Sequence, residues 1–183
     1  TPPLRILVML SNPHNVAPLE VEEEFRRLQQ ALEKLQTAGA LEIEKLEEAT
    51  LDALHQRLRD GDFHVFHFIG HGFFDVDTNR GGLVFEDSAG NAQEISAEQL
   101  WNELRGEESL RLIFLNACEG ARSGGGDFFA GVAQQLVQKG IAAVLAMQFK
   151  VSDQAAIALA QTFYQNLAEG RPLDAALVAA RKA

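Results

Sequence analysis

Short apolar runs alternate along the chain with segments in which apolar residues recur every three or four positions. The apolar runs are typical of buried β-strands; they are Leu4–Leu10, Leu41–Leu46, Phe63–Ile69, Leu110–Leu115 and Ile141–Met147. The spaced pattern predicts amphipathic α-helices, which we expect near 25–35, 51–58, 96–104, 127–139, 152–169 and 173–182. This order predicts an α/β fold, a three-layer sandwich with a mostly parallel central sheet and helices on both faces.

One stretch departs from this alternation and predicts a β-hairpin. Residues Gly82–Ile95 contain two strand-like halves that turn near Ser88–Asn91. Directly afterwards, Ser96 and Gln99 form the pattern of a capping box, which begins a short helix. We find no internal repeat, low-complexity tract or interior linker, so residues 1–183 are expected to form one domain.

Charge and composition narrow the classes of partner. The chain has 26 acidic and 16 basic residues, and its net charge of −10 repels phosphate backbones and anionic membranes. No apolar run reaches the roughly 20 residues that a membrane span requires, and the first residues do not resemble a signal peptide. The single cysteine cannot form an internal disulfide, so we expect a cytoplasmic protein. From the net charge we expect no nucleic-acid or membrane partner.

Two reactive side chains follow two of the predicted strands. His71 comes just after the strand that ends at Ile69, and Cys118 comes just after the strand that ends at Leu115. Active sites of open α/β sheets lie beyond the carboxyl ends of the strands. A thiol with a pKa near 8.5 needs a neighbouring base to form thiolate at neutral pH. We therefore predict a catalytic dyad of Cys118 as nucleophile and His71 as general base.

Glycines surround both residues. Gly72 follows the predicted base, and its N–H together with the N–H of Cys118 is predicted to form an oxyanion hole. Residues Ser123–Gly126 precede a helix but lack the lysine and hydroxyl residue of a phosphate-binding loop, so we interpret them as a loop beside the nucleophile. The acidic runs Glu20–Glu24 and Glu42–Glu48 are expected to be solvated faces.

Two motifs extend the comparison to a family. His67–Gly72 reads HFIGHG, Asn116–Gly120 reads NACEG, and His71 precedes Cys118 by 47 positions, against about 50 in the caspase pattern. This arrangement resembles that of the caspases, and more closely that of the CHAT family of caspase-like domains, often found beside TPR repeats. There the motifs read approximately H-F-x-G-H-G and N-A-C-x-[GSA]. The resemblance covers nearly the whole chain.

The resemblance implies a caspase–haemoglobinase fold, with Cys118 as nucleophile, His71 as the catalytic histidine and the Gly72 N–H as oxyanion donor. It also implies fusion to, or complexes with, sensor or repeat domains such as TPR repeats, in prokaryotic settings that include defence. We therefore expect the chain to be part of a longer multidomain protein. Members of the family usually continue past the last helix into a further strand.

Substrate preference is expected to depend on the position two residues before the nucleophile. Caspase-like peptidases that cut after Arg or Lys often carry an acid there, and here the position is the neutral Asn116. Strict Arg/Lys specificity is therefore disfavoured unless another acid substitutes. The segment 148–153 lies where caspase-like enzymes line the peptide groove. The predicted substrate-binding residues are Asn116, Gln148, Phe149, Val151, Asp153 and Asp75.

The predicted function is that of a cysteine endopeptidase that cleaves a protein partner through a thioester acyl-enzyme, as a single chain controlled by a partner or an adjoining domain. One alternative is a catalytically silent caspase-like scaffold; another is a different thiol-dependent acyltransferase or amidase.

We expect neither a cofactor nor a metal ion. His64 and His67 point to opposite sides of a strand, so they cannot bind one metal ion together. His67 itself is expected to be a hydrogen-bonded core histidine.

Overall fold

The computed structural model describes residues 2–75, 77–78, 80–118, 128–146 and 153–182. Within these ranges it describes all side chains except those at positions 117, 118, 128–130, 153 and 156.

In the described residues, a seven-stranded sheet forms the middle of the protein. Its strands are β1 (Leu4–Leu10), β2 (Leu41–Lys45), β3 (Val65–Asp75), β4 (Arg80–Glu86), β5 (Ala92–Ser96), β6 (Leu112–Cys118) and β7 (Val144–Ala146). Parallel pairing joins them in the order β2-β1-β3-β6-β7. Antiparallel pairing adds β4 to the second half of β3, and β5 to β4. The sheet is therefore mostly parallel, as predicted.

Helices cover both faces of this sheet. They are α1 (Val21–Thr37), α2 (Leu51–Arg59), α3 (Ala97–Leu104), α4 (Phe128–Gln138), α5 (Asp153–Ala168) and α6 (Leu173–Ala180). One core cluster joins the sheet to α2, α3 and α4, and the other joins it to α1, α5 and α6. Successive strand residues serve opposite clusters, as Val65 and Phe66 do, because side chains alternate across a strand. This arrangement confirms the predicted three layers.

Local backbone chemistry accounts for two of the helix ends. Gly39 follows α1 with a φ of 68°, a left-handed conformation that glycine adopts without strain. Ser96 accepts a hydrogen bond from the backbone N–H of Gln99, whose side chain bonds back to the Ser96 N–H, which confirms the capping box. Among the described helices we find none with the length and apolar character that a membrane span requires.

Two strands extend further than their apolar runs predict. β3 continues through Gly70 and His71 as far as Asp75, because its second half pairs with the hairpin strand β4. At Gly70 the strand passes close to the end of β1, where an added Cβ would lie 3.0 Å from the carbonyl oxygen of Ser11. β6 likewise continues to Cys118, paired with β3. The two predicted catalytic residues therefore lie within paired strands rather than in loops.

His67 is a fully buried histidine on the face covered by α5. Its Nδ1 lies 2.6 Å from the Tyr164 hydroxyl, and its ring stacks on Phe114 with 4.4 Å between centroids. The prediction of a hydrogen-bonded core histidine is confirmed. Burial lowers the pKa of His67 to about 3, because the surrounding aromatic side chains cannot solvate an imidazolium.

This burial makes stability depend on pH. Unfolded histidine has a pKa near 6.5, so between pH 6.5 and pH 3 the unfolded chain binds a proton at position 67 that the folded chain does not. The free energy of unfolding therefore falls on acidification, by about 2 kcal/mol between pH 7 and pH 5 from this group alone. Urea denaturation at both pH values measures it. His67→Asn, which does not titrate and carries an amide at the position of Nδ1 to bond the Tyr164 hydroxyl, should lose less stability over this range; an equal loss would contradict the assignment.

Candidate active site

His71 and Cys118 lie side by side at the carboxyl ends of two neighbouring parallel strands. β3 and β6 pair in continuous register from Val65 opposite Leu112 to His71 opposite Cys118. Paired strands are separated by roughly 5 Å, so the backbones of His71 and Cys118 lie about that far apart. The structure therefore brings together the two residues that the sequence predicts as a dyad, although the Cys118 side chain lies outside the description.

A backbone carbonyl orients the imidazole of His71. His71 is buried, with 5% of the residue exposed, and its Nε2 lies 2.7 Å from the carbonyl oxygen of Ala17. A carbonyl can only accept, so Nε2 carries the hydrogen and donates it. A neutral imidazole has a single N–H, which leaves Nδ1 with a free lone pair. Nδ1 is therefore the nitrogen that can accept a proton.

Sequence reasoning missed this contact. Ala17 lies in the segment between β1 and α1, and its contribution is a main-chain oxygen that every residue possesses. No side-chain pattern marks such a group. Only the tertiary arrangement, which brings this segment over the end of β3, reveals it.

Asn116 lies two residues before Cys118 on β6, opposite Ile69 of β3. Its Nδ2 donates a hydrogen bond to Oε2 of Glu24, in the first turn of α1, at 3.1 Å. The expectation that Glu24 belongs to a solvated face is wrong, because this partly buried contact holds it against the strand end. The neutral Asn116 was the reason to disfavour Arg/Lys specificity. The carboxylate of Glu24 lies beside it.

The predicted oxyanion donors are both backbone groups at this strand end. Gly72 directly follows His71 in β3 and lies opposite Leu83 of β4, while Cys118 is the last residue of β6. Gly72 is thus the residue at which the pairing of β3 changes from parallel, with β6, to antiparallel, with β4. The role of these two N–H groups stays a prediction.

With this geometry in place, comparison with known proteins identifies the family. The family model of the CHAT domain matches residues 4–183. The chain belongs to the CHAT domain family. The match spans every strand and helix described above, and it agrees with the α/β architecture and caspase-like fold. No curated protein sequence matches the chain.

Asp75 ends strand β3 of the CHAT domain and bonds to the turn that follows it. It ends β3, four residues beyond His71, and its Oδ1 accepts backbone hydrogen bonds from Asp77 at 2.9 Å and Thr78 at 3.3 Å. Hydrogen bonds, that of the Thr78 side chain foremost, lower the pKa of Asp75. The carboxylate thus stabilises the β3–β4 turn, and its predicted contact with substrate stays a prediction.

The remaining predicted substrate-binding residues lie, in the sequence, at or just before the first residue of α5. Asp153 is the first residue of that helix, and its side chain lies outside the description. Outside the described residues altogether are Gln148, Phe149 and Val151. Within the described residues no group of three His, Cys, Asp or Glu side chains is arranged to hold a metal ion.

Proposed function

We propose that this CHAT domain is a cysteine endopeptidase with Cys118 as nucleophile and His71 as general base. The proposal rests on one observation, the register that pairs His71 with Cys118 at the ends of adjacent parallel strands. A nucleophile and its base must come within hydrogen-bond reach, and pairing on adjacent parallel strands supports this for two residues that are distant in sequence. Membership of a caspase-like family supports the same chemistry.

The reaction begins when Nδ1 of His71 accepts the thiol proton of Cys118 and the thiolate attacks the carbonyl carbon of the scissile peptide. The N–H groups of Gly72 and Cys118 stabilise the resulting oxyanion. As the intermediate collapses, the C–N bond breaks and His71 returns the proton to the leaving amine, which leaves a thioester. Water, deprotonated by His71, then attacks the thioester and releases the carboxylate product and the free thiol.

The Ala17 carbonyl assists at the step in which His71 is charged. The hydrogen bond from Nε2–H to that oxygen fixes the ring and its tautomer. It becomes a charge-assisted bond when Nδ1 takes up the proton, and so stabilises the imidazolium. The carbonyl thus serves as the third group that orients a base in such sites.

The substrate in this proposal is a cytoplasmic protein partner, and the activity is controlled by an adjoining or associated domain such as TPR repeats, in a prokaryotic defence setting. His71 is buried under the segment that contains Ala17, which supports control of access to the dyad. We assign substrate contacts to Asn116 and to the segment 148–153.

A trapped acyl-enzyme tests the proposal. The protein is incubated with a diverse peptide library, with and without candidate partner domains, quenched in acid and analysed by intact-mass spectrometry. We expect an acyl adduct on Cys118 that hydroxylamine removes, because hydroxylamine cleaves thioesters. Binding of a partner without any adduct or cleavage product would instead favour the silent scaffold.

A further inference from the structure

The segment over His71 is closed by a single side chain. We call residues Asn12–Leu19 the Asn12 loop. The Asn12 Nδ2 donates to the carbonyl oxygen of Leu19 at 3.0 Å, and the Asn12 Oδ1 accepts from the N–H of Leu19, also at 3.0 Å. One amide therefore bonds both main-chain groups of one residue, as a paired strand would, and ties the two ends of the loop together.

Further contacts fix the same loop to the β4–β5 hairpin. The backbone N–H of Asn12 donates to Oε1 of Glu86 at 2.8 Å. Asn15 accepts from the backbone N–H of Ala92 through its Oδ1 at 2.7 Å, and a main-chain bond joins His14 to Gly90. The Asn12 loop is thus held at its base by Asn12 and along its length by the hairpin.

Ala17 lies inside this closed loop, where nothing in its own side chain fixes it. The methyl group is exposed, and the segment has no helix or strand pairing of its own. The direction of the Ala17 carbonyl therefore depends on the closure of the loop. That carbonyl in turn decides which nitrogen of His71 carries the hydrogen.

We propose that Asn12 is a positioning residue of this site. By closing the loop it holds the Ala17 carbonyl on Nε2–H of His71 and keeps Nδ1 free to accept a proton. The consequence for catalysis rests on the proposed function, whereas the consequence for the tautomer of His71 does not. The two are therefore separable by experiment.

The direct test is the tautomer of His71, which long-range ¹H–¹⁵N correlation spectra of the imidazole distinguish. We expect wild-type His71 to be the Nε2–H form. Asn12→Ala should convert part or all of the signal to the Nδ1–H form, because the loop no longer holds the acceptor in place. Asn102→Ala, an exposed asparagine on α3, is the matched control and should leave the spectrum unchanged.

Reactivity supplies the second readout. Asn12→Ala should lower kcat for peptide cleavage, or the rate of Cys118 alkylation, by about 10- to 100-fold, because small misplacements of a base have effects of that size. KM should change less than about twofold, since Asn12 bonds the backbone of Leu19 and is not among the residues to which we assign substrate contacts. Asn102→Ala should retain the wild-type rates.

Unchanged tautomer and alkylation rate in folded Asn12→Ala would overturn the inference, as would an Nδ1–H tautomer in the wild type. If Asn12→Ala does not fold, Asn12→Asp replaces it. This variant keeps the acceptor for the Leu19 N–H but loses the donor to the Leu19 carbonyl, and the same two outcomes decide. A protein that shows the predicted tautomer shift yet cleaves no peptide would refute the proposed function and leave the positioning role intact.

Discussion

Replacement of His71 by alanine is expected to lower kcat/KM for peptide cleavage about 10³-fold, and replacement of Cys118 by alanine to abolish cleavage. General acid–base catalysis contributes about 10²- to 10⁴-fold, and His71 serves both the formation of thiolate and the protonation of the leaving amine. Without the sulfur of Cys118 no acyl-enzyme forms. Initial rates on a peptide selected from the library measure both effects.

A matched histidine replacement separates this role from a general effect of mutation. His55 lies on α2, partly exposed at 38% of its side-chain area, and His55→Ala should keep nearly full activity. Far-ultraviolet circular dichroism verifies that each variant is folded. Wild-type rates in folded His71→Ala would show that His71 is not the base.

The second large effect concerns the hairpin beside the site. Gly82→Ala is expected to lower the free energy of unfolding by about 3 kcal/mol, at the upper end of the usual cost of overpacking. A Cβ at this position would clash with the carbonyl oxygen of Ile95 on the paired strand and lie 2.5 Å from Cε1 of Phe73. The carbonyl belongs to the backbone of the ladder and cannot move aside without breaking it. Urea denaturation measures the loss.

Gly131→Ala provides a control of opposite sign. Gly131 lies inside α4, and an added Cβ there has no neighbour within 4 Å among the described residues. Alanine is the better helix former, so this variant should gain about 0.5 to 1 kcal/mol. A Gly82→Ala protein as stable as the wild type would contradict the close approach of β4 and β5.

Much of the fold and the central pair of the site could be predicted from the sequence. Buried positions of strands and helices are occupied by apolar residues, and the spacing of these residues is visible in the sequence. The strands and helices therefore lie close to their predicted ranges. His71 and Cys118 could be matched because each followed an apolar run, and strand ends of a parallel sheet meet at one edge. His67 lies within an otherwise apolar run, which predicts a core position, and the structure confirms its burial.

The parts that could not be predicted depend on main-chain groups and tertiary contacts. The apolar run predicts a strand that ends at Ile69, whereas β3 continues through Gly70 and His71, which pair with β6, to Gly72, which pairs with the hairpin strand β4. Ala17 acts through a carbonyl oxygen, and Asn12 acts by bonding the backbone of Leu19. The acidic run around Glu24 predicts a solvated face, whereas the first turn of α1 places Glu24 against Asn116.

The most direct test of the central claim is the alkylation rate of the thiol at pH 6, followed with iodoacetamide. The chain has one cysteine, so the rate reports on Cys118 alone. A thiol with a pKa of 8.5 is only about 0.3% thiolate at this pH. We predict that the folded wild type reacts at least about 10-fold faster than both His71→Ala and the urea-unfolded wild type. Equal rates in the folded wild type and folded His71→Ala would contradict a Cys118–His71 dyad.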